Sequence, residues 1–172
     1  GIGVNVIQTC RAEHAARIVA VDIEGAKAAT ARRFGATDTV TLAPGQDAEA
    51  ALRAIQPGGF DYSFECSGSV AAVEASIGVL SVGGTCVLIG IPSPRDARAS
   101  FGIAAMFDAR RIVGSFNGAV RAHQDIPLIF ELARQGSLDL DAVVTRTYPV
   151  EAVHDALLDL RTEPIVRAVL TY

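Results

Sequence analysis

What most limits the folds open to this chain is a repeated switch of hydrophobic period: strand-length apolar runs alternate with stretches patterned for helices. That alternation argues for a parallel sheet flanked by helices, the α/β class. The spacing of Ile2, Val6, Ile7 and Cys10 predicts a helix lying on a sheet, and Ile18 to Val21 is a continuous strand run closed by Asp22. Glu24 to Phe34 reads as an Ala-rich helix stopped by Gly35 at a left-handed position, and Thr37 to Leu42 as the next strand. Ala48 to Ile55 is a short helix, Pro57-Gly58-Gly59 a turn, Phe60 to Cys66 a strand stopping at Ser67-Gly68-Ser69, and Val70 to Leu80 a helix. Gly83-Gly84 then turns into Thr85 to Ile89, a charge-free strand expected to be covered on both faces. Beyond it lie a strand at Ile112 to Phe116, a helix with Pro127 near its start and Gly136 at its close, the stretch Thr147 to Val150, a helix from Glu151 to Leu160 and a strand from Ile165 to Thr171. We expect a boundary near residue 117.

Composition removes several functions. Half of the 172 residues are apolar, enough for one domain that buries roughly 70% of its unfolded surface. The net charge is −4 and the basic residues stand singly, which gives neither a footprint for nucleic acid nor a polybasic arm for a membrane surface. No apolar stretch approaches the roughly 20 residues that cross a bilayer, and no signal-peptide pattern opens the chain, so a soluble, cytoplasmic protein is expected. Cys10, Cys66 and Cys86 are widely spaced within apolar runs and read as three buried reduced thiols. His14, His123 and His154 stand alone and read as surface or capping residues. The chain opens inside a helix-starting turn at Gly1, and we expect a further segment upstream.

The residues that carry chemistry are at the beginning. Gly1-Ile2-Gly3 opens a helix, and Asp22 closes the following strand nineteen positions after Gly3. In a dinucleotide-binding βαβ unit, glycines let backbone N–H groups and the helix N-terminus approach a pyrophosphate, while an acid about 20 positions later accepts from the ribose hydroxyls. A carboxylate there also repels a 2′-phosphate, which favours NAD over NADP. Turn glycines followed by a helix-capping aspartate would give the same letters.

Longer stretches point to one family. Gly1 to Val4, Ala16 to Asp22, Phe34 to Thr37, Phe60 to Gly68, Gly83 to Thr85, Ile89 to Pro92, Gly114 to Phe116 and Ile165 to Tyr172 together resemble the cofactor half of the zinc-containing medium-chain alcohol dehydrogenases, including the glutathione-dependent formaldehyde type. The family pattern is Gly-x-Gly-Gly-x-Gly, of which Gly1, Ile2 and Gly3 match the second half. The resemblance implies a Rossmann-type, doubly wound parallel sheet lacking its first strand, plus a C-terminal segment belonging to the catalytic domain. It implies that Gly1, Ile2 and Gly3 lie along the pyrophosphate and nicotinamide, and that Asp22 and Lys27 meet the adenosine ribose. Cys66 and Ser67 would flank that ribose, and Ile89, Gly90 and Ile91 would run past the nicotinamide. Ser115 and Asn117 would hold its carboxamide through main-chain groups, and Arg167 would reach a phosphate. Where the family often ends its first helix in Gly, this chain has Glu13-His14, so His14 is expected in a left-handed or reshaped turn.

By the same resemblance, residues 1–117 are an NAD-binding domain and 118–172 return to the catalytic domain. Zinc belongs to the full-length protein and not to these residues, which carry no catalytic group of their own. The implied partner is a small alcohol or aldehyde substrate, and the family implies a homo-oligomer joined near Ile103 to Ser115. Alone, without a central strand, the fragment is expected to be inactive and marginally stable. Three other readings stay open: a zinc-independent, NADPH-using quinone reductase relative, an S-adenosylmethionine methyltransferase-like domain, and a non-catalytic nucleotide-sensing module.

Overall fold

The structure is a computed structural model that describes residues 1–94 and 97–172. By their contacts, residues 1–41 and 122–172 form one compact unit and residues 42–121 a second.

In the first unit, α1 (Ile2–Ala12) sets Ile7 and Cys10 against a buried cluster of Ile18, Ala31 and Ala36. The helix ends at His14, whose φ of 60° is the expected left-handed turn; Ala15 N–H reaches back to the Cys10 carbonyl at 2.9 Å. β1 (Val19–Asp22) leads to α2 (Lys27–Phe34), which starts three residues later than expected. Gly35 closes it at φ 118°, and a Cβ there would lie 2.7 Å from Arg11 Cδ, so α1 and α2 pack this closely only over a glycine. β2 (Asp38–Thr41) pairs in parallel with β1 from Val19 opposite Asp38 to Asp22 opposite Thr41.

The second unit begins with α3 (Ala48–Ile55), capped by Asp47, whose carboxylate accepts from Ala50 N–H at 3.0 Å. β3 (Phe60–Glu65), α4 (Val70–Gly78), β4 (Leu80–Leu88) and β5 (Arg111–Gly114) follow, and the strands pair in parallel in the order β3-β4-β5. Ile77, Leu80 and Cys86 form the core, with Val73, Leu88 and Ile112 against it. β4 starts five residues before the strand expected at Thr85, and the Gly83-Gly84 turn is an irregularity inside it. Phe60 faces Leu80, and Tyr62 faces Thr85. Its cover is also unequal: the Cys86 side is buried, whereas Val87 is only half-buried.

Residues 122–172 supply α5 (Ala122–Arg134), α6 (Leu140–Val143), β6 (Arg146–Pro149), α7 (Val153–Thr162) and β7 (Ala168–Thr171), with β6 and β7 parallel. α5 begins five residues before Pro127, which therefore sits inside the helix and not near its start. Among the described residues the strands form three separate sheets, β1-β2, β3-β4-β5 and β6-β7. The architecture is α/β with parallel pairing throughout, as the alternating pattern predicts.

Candidate functional site

In the first unit the opening turn and a distant arginine meet. Gly1 is the N-cap residue of α1, and no side chain caps that end. A Cβ on Gly1 would lie 3.3 Å from the Val166 carbonyl oxygen and 3.6 Å from Arg167 Nη2, so the guanidinium stands against the first turn. Nothing crowds Gly3 within 4 Å, and Ile2 is half-exposed. The N–H groups of the first turn, the positive end of the helix dipole and an arginine together make a corner suited to a phosphate-like anion.

Asp22 ends β1 and is held by its own neighbourhood. Its Oδ1 accepts from Glu24 N–H at 3.0 Å and from Lys27 Nζ at 3.4 Å; among the described residues neither donor uses Oδ2. Lys27 also reaches Glu24 at 2.9 Å. Burial alone would lower the Lys27 ammonium, but the Glu24 hydrogen bond and the charges of Asp22 and Glu24 outweigh it and raise it above the usual lysine range. With side chains 50% and 40% exposed, the Lys27–Asp22 pair orients groups more than it stabilises the fold, contributing about 0–1 kcal/mol.

In the second unit the expected residues lie just past the carboxyl ends of three parallel strands. Glu65 is opposite Leu88, and Leu88 opposite Gly114, so Cys66-Ser67, Ile89-Gly90-Ile91 and Ser115 leave the sheet side by side. In open parallel sheets this is the edge where ligands bind. Ser115 N–H bonds to the Leu88 carbonyl at 2.8 Å, and Ile91 is 66% exposed. Asn117, Gly118 and Ala119 have φ of 49°, 70° and 49°, a strained left-handed run that turns the chain beyond β5.

Sequence reasoning did not single out Glu65. Its carboxylate is buried, and Oε1 accepts from Ser67 N–H at 2.7 Å, Ser67 Oγ–H at 2.5 Å and Gly68 N–H at 3.0 Å. An acid closing a strand two residues before Ser67-Gly68 was the available signal. Gly68, at φ 76°, and Gly90 are pressed together: a Cβ on Gly68 would lie 2.7 Å from the Ile91 carbonyl carbon, and one on Gly90 2.9 Å from Gly68 Cα.

None of the three cysteines is in a disulfide; Cys86 is buried, while Cys10 and Cys66 are only partly so, a correction to the expectation of three buried thiols. Burial pushes the Cys10 and Cys86 thiols up, so both stay protonated at neutral pH. Among the described residues no group of three or more His, Cys, Asp or Glu side chains could hold a metal ion.

Comparison with known proteins gives consistent results. The zinc-binding dehydrogenase family model matches residues 1–135. Alcohol dehydrogenase-like 3 of Arabidopsis thaliana is 32% identical over 98% of this chain, which spans 43% of that protein. An alcohol dehydrogenase zinc-binding domain protein from Burkholderia ambifaria superposes with a TM-score of 0.89 at 28% identity, over 98% of this chain and 45% of its own. A dehydrogenase-family structure from Sinorhizobium meliloti, bound to NADP, gives 0.78 at 26% identity, over 91% and 45%. The chain thus spans less than half the length of these relatives, and its fold is that of their Rossmann-like cofactor-binding half.

Proposed function

The chain belongs to the zinc-binding dehydrogenase family, and from that premise we propose that it is the NAD-binding part of an oxidoreductase that moves hydride between an alcohol, or an aldehyde adduct, and nicotinamide. The observation that carries the cofactor reading is the corner where Arg167 faces the start of α1. A pyrophosphate fits it: the amides of the first turn donate, the guanidinium neutralises, and the missing side chain at Gly1 leaves room for close approach. In the same unit Asp22 offers Oδ2 to the ribose hydroxyls, with Lys27 steadying Oδ1. In the second unit, Cys66 and Ser67 take the adenine-side ribose, Ile89 to Ile91 border the nicotinamide, and Ser115 and Asn117 bind its carboxamide through main-chain groups. The nicotinamide, when bound, supplies the hydride acceptor or donor; the residues here bind and orient it.

We assign residues 1–117 to the NAD-binding domain and 118–172 to the return into the catalytic domain. Zinc and the substrate-activating groups belong to other residues of the full-length protein, so the 172-residue chain alone turns over no substrate. That protein acts on a small alcohol or aldehyde as a cytoplasmic homo-oligomer. No helix among the described residues is long and apolar enough to cross a membrane.

Titration calorimetry of the full-length protein tests the coenzyme reading. Wild type should bind NAD more tightly than NADP. Asp22→Ala should weaken NAD about tenfold or more, the loss of a hydrogen bond to a charged group, and narrow the preference because the 2′-phosphate is no longer repelled. An unaltered preference and affinity in Asp22→Ala overturns the assignment.

A further inference from the structure

Glu65 holds two loops at once. Its side chain takes three hydrogens from the turn after β3, those of Ser67 N–H, Ser67 Oγ–H and Gly68 N–H, while Gly68 N–H also lies 3.1 Å from Oε2. Its own carbonyl accepts from Ile89 N–H at 2.8 Å and Gly90 N–H at 2.9 Å, at the end of β4. A Cβ on Gly90 would come within 2.5 Å of Glu65 Oε2, so the carboxylate fills the space a side chain would need.

An acid is an expensive choice here. At 3% exposure a carboxylate is unfavourable unless hydrogen bonds replace its water, and nothing in the apolar core formed by Ile77, Leu80 and Cys86 requires it. An apolar residue would fill the volume but leave the Ser67 and Gly68 amides unpaired; a Gln would turn an NH2 donor toward N–H donors. A carboxylate is an acceptor at both oxygens, so Oε1 takes both amides and the hydroxyl while Oε2 also faces Gly68 N–H at 3.1 Å, the position where a Gln would put its NH2. The charge is therefore matched to the loop geometry and not to the core.

We propose that Glu65 is a positioning residue for the coenzyme: it locks the Ser67-Gly68 turn against the Gly90-Ile91 backbone and so sets the shape of the loop pair that the dinucleotide contacts. This rests on the coenzyme reading given above. It also accounts for the two glycines, since neither turn can retreat from the other once the carboxylate bridges them. Ser67 then has two tasks, donating to Glu65 through Oγ and accepting Ser69 N–H on the same atom at 3.1 Å, so the hydroxyl relays the carboxylate's hold to the start of α4.

The test uses the full-length protein with NAD as the probe, in wild type, Glu65→Gln and Ser67→Ala. NAD affinity per folded molecule should fall tenfold or more in Glu65→Gln and three- to tenfold in Ser67→Ala. In turnover the coenzyme KM should rise by the same factors while kcat changes less than threefold, a split that loss of folded protein alone would not produce. Melting curves on the same samples report the folded fraction. Equal NAD affinity in wild type and the folded variants overturns the proposal, as does a kcat that falls with KM unmoved. Should Glu65→Gln fail to fold, Glu65→Asp decides, since it keeps the charge but draws it back from the Ser67-Gly68 turn: wild-type affinity there overturns the proposal, and weakened affinity in a variant that melts like wild type supports it. A wild type that binds no dinucleotide ends the coenzyme reading and this one with it, whereas tight wild-type binding with indifferent variants ends this one alone.

Discussion

Gln8 shows what a residue pattern reveals and what it conceals. The apolar spacing of Ile2, Val6, Ile7 and Cys10 identified α1 and the side of it that meets Ile18, yet the residue of α1 with no exposure at all is Gln8. Its Oε1 accepts Asp139 N–H at 2.7 Å and its Nε2 donates to Asn5 Oδ1 at 3.2 Å. The Asp139 partner is remote in sequence, so periodicity could only count Gln8 as a polar interruption. Gln8→Leu keeps the volume but strands the Asp139 amide, and should cost about 1–3 kcal/mol, read as a lower midpoint in chemical unfolding. Glu65 escaped for the same reason, since its meaning lies in the amides it meets. By contrast Asp22 and Gly1 were legible because their chemistry is local: an acid closing a strand and a glycine opening a helix. The partnership of Gly1 with Arg167 came only from resemblance, for no spacing rule links them.

At the scale of elements, β1 to β3 and α1 to α4 lie within a few residues of expectation, and the departures have physical causes. β4 begins at Leu80 because Gly59, at φ 84°, brings Phe60 N–H to the Val79 carbonyl at 3.0 Å and lets Ser81 Oγ–H reach the Phe60 carbonyl at 3.2 Å. Pairing to β3 thus starts before Gly83-Gly84, and a glycine pair that reads as a turn is absorbed as a bulge. A Cβ at Gly59 would lie 2.6 Å from Ser81 N and 2.7 Å from the Val79 oxygen, backbone that cannot step aside. Gly59→Ala should therefore lose about 2–4 kcal/mol from left-handed strain and crowding combined, measured by urea denaturation with an unchanged m-value. α6 went unread because four residues carry no period; its start is marked instead by Asp139, whose carboxylate accepts Ala142 N–H at 2.8 Å.

For the whole molecule, the α/β class and the parallel pairing were legible from the alternation of patterns, whereas the division of the sheet was not, because strand order depends on partners that no local pattern names. The surface adds a further constraint. Ile103, Phe107 and Phe116 in the second unit, and Phe130, Leu157 and Leu158 in the first, are all more than half exposed. Apolar area of this kind contributes nothing to stability while it faces water. The 172-residue chain by itself should therefore melt below about 50 °C, at the low end for a domain of its size, and scanning calorimetry showing a cooperative transition above that would contradict the expectation. The corner at Gly1 has one more consequence. Synthesis runs from Gly1 toward Arg167, so on the ribosome the helix start emerges before its cation and waits for it until nearly all of these residues have been made. A nascent polypeptide stalled anywhere in between would hold the first turn without Arg167 beside it, so the anion grip closes only when the last residues join the first unit.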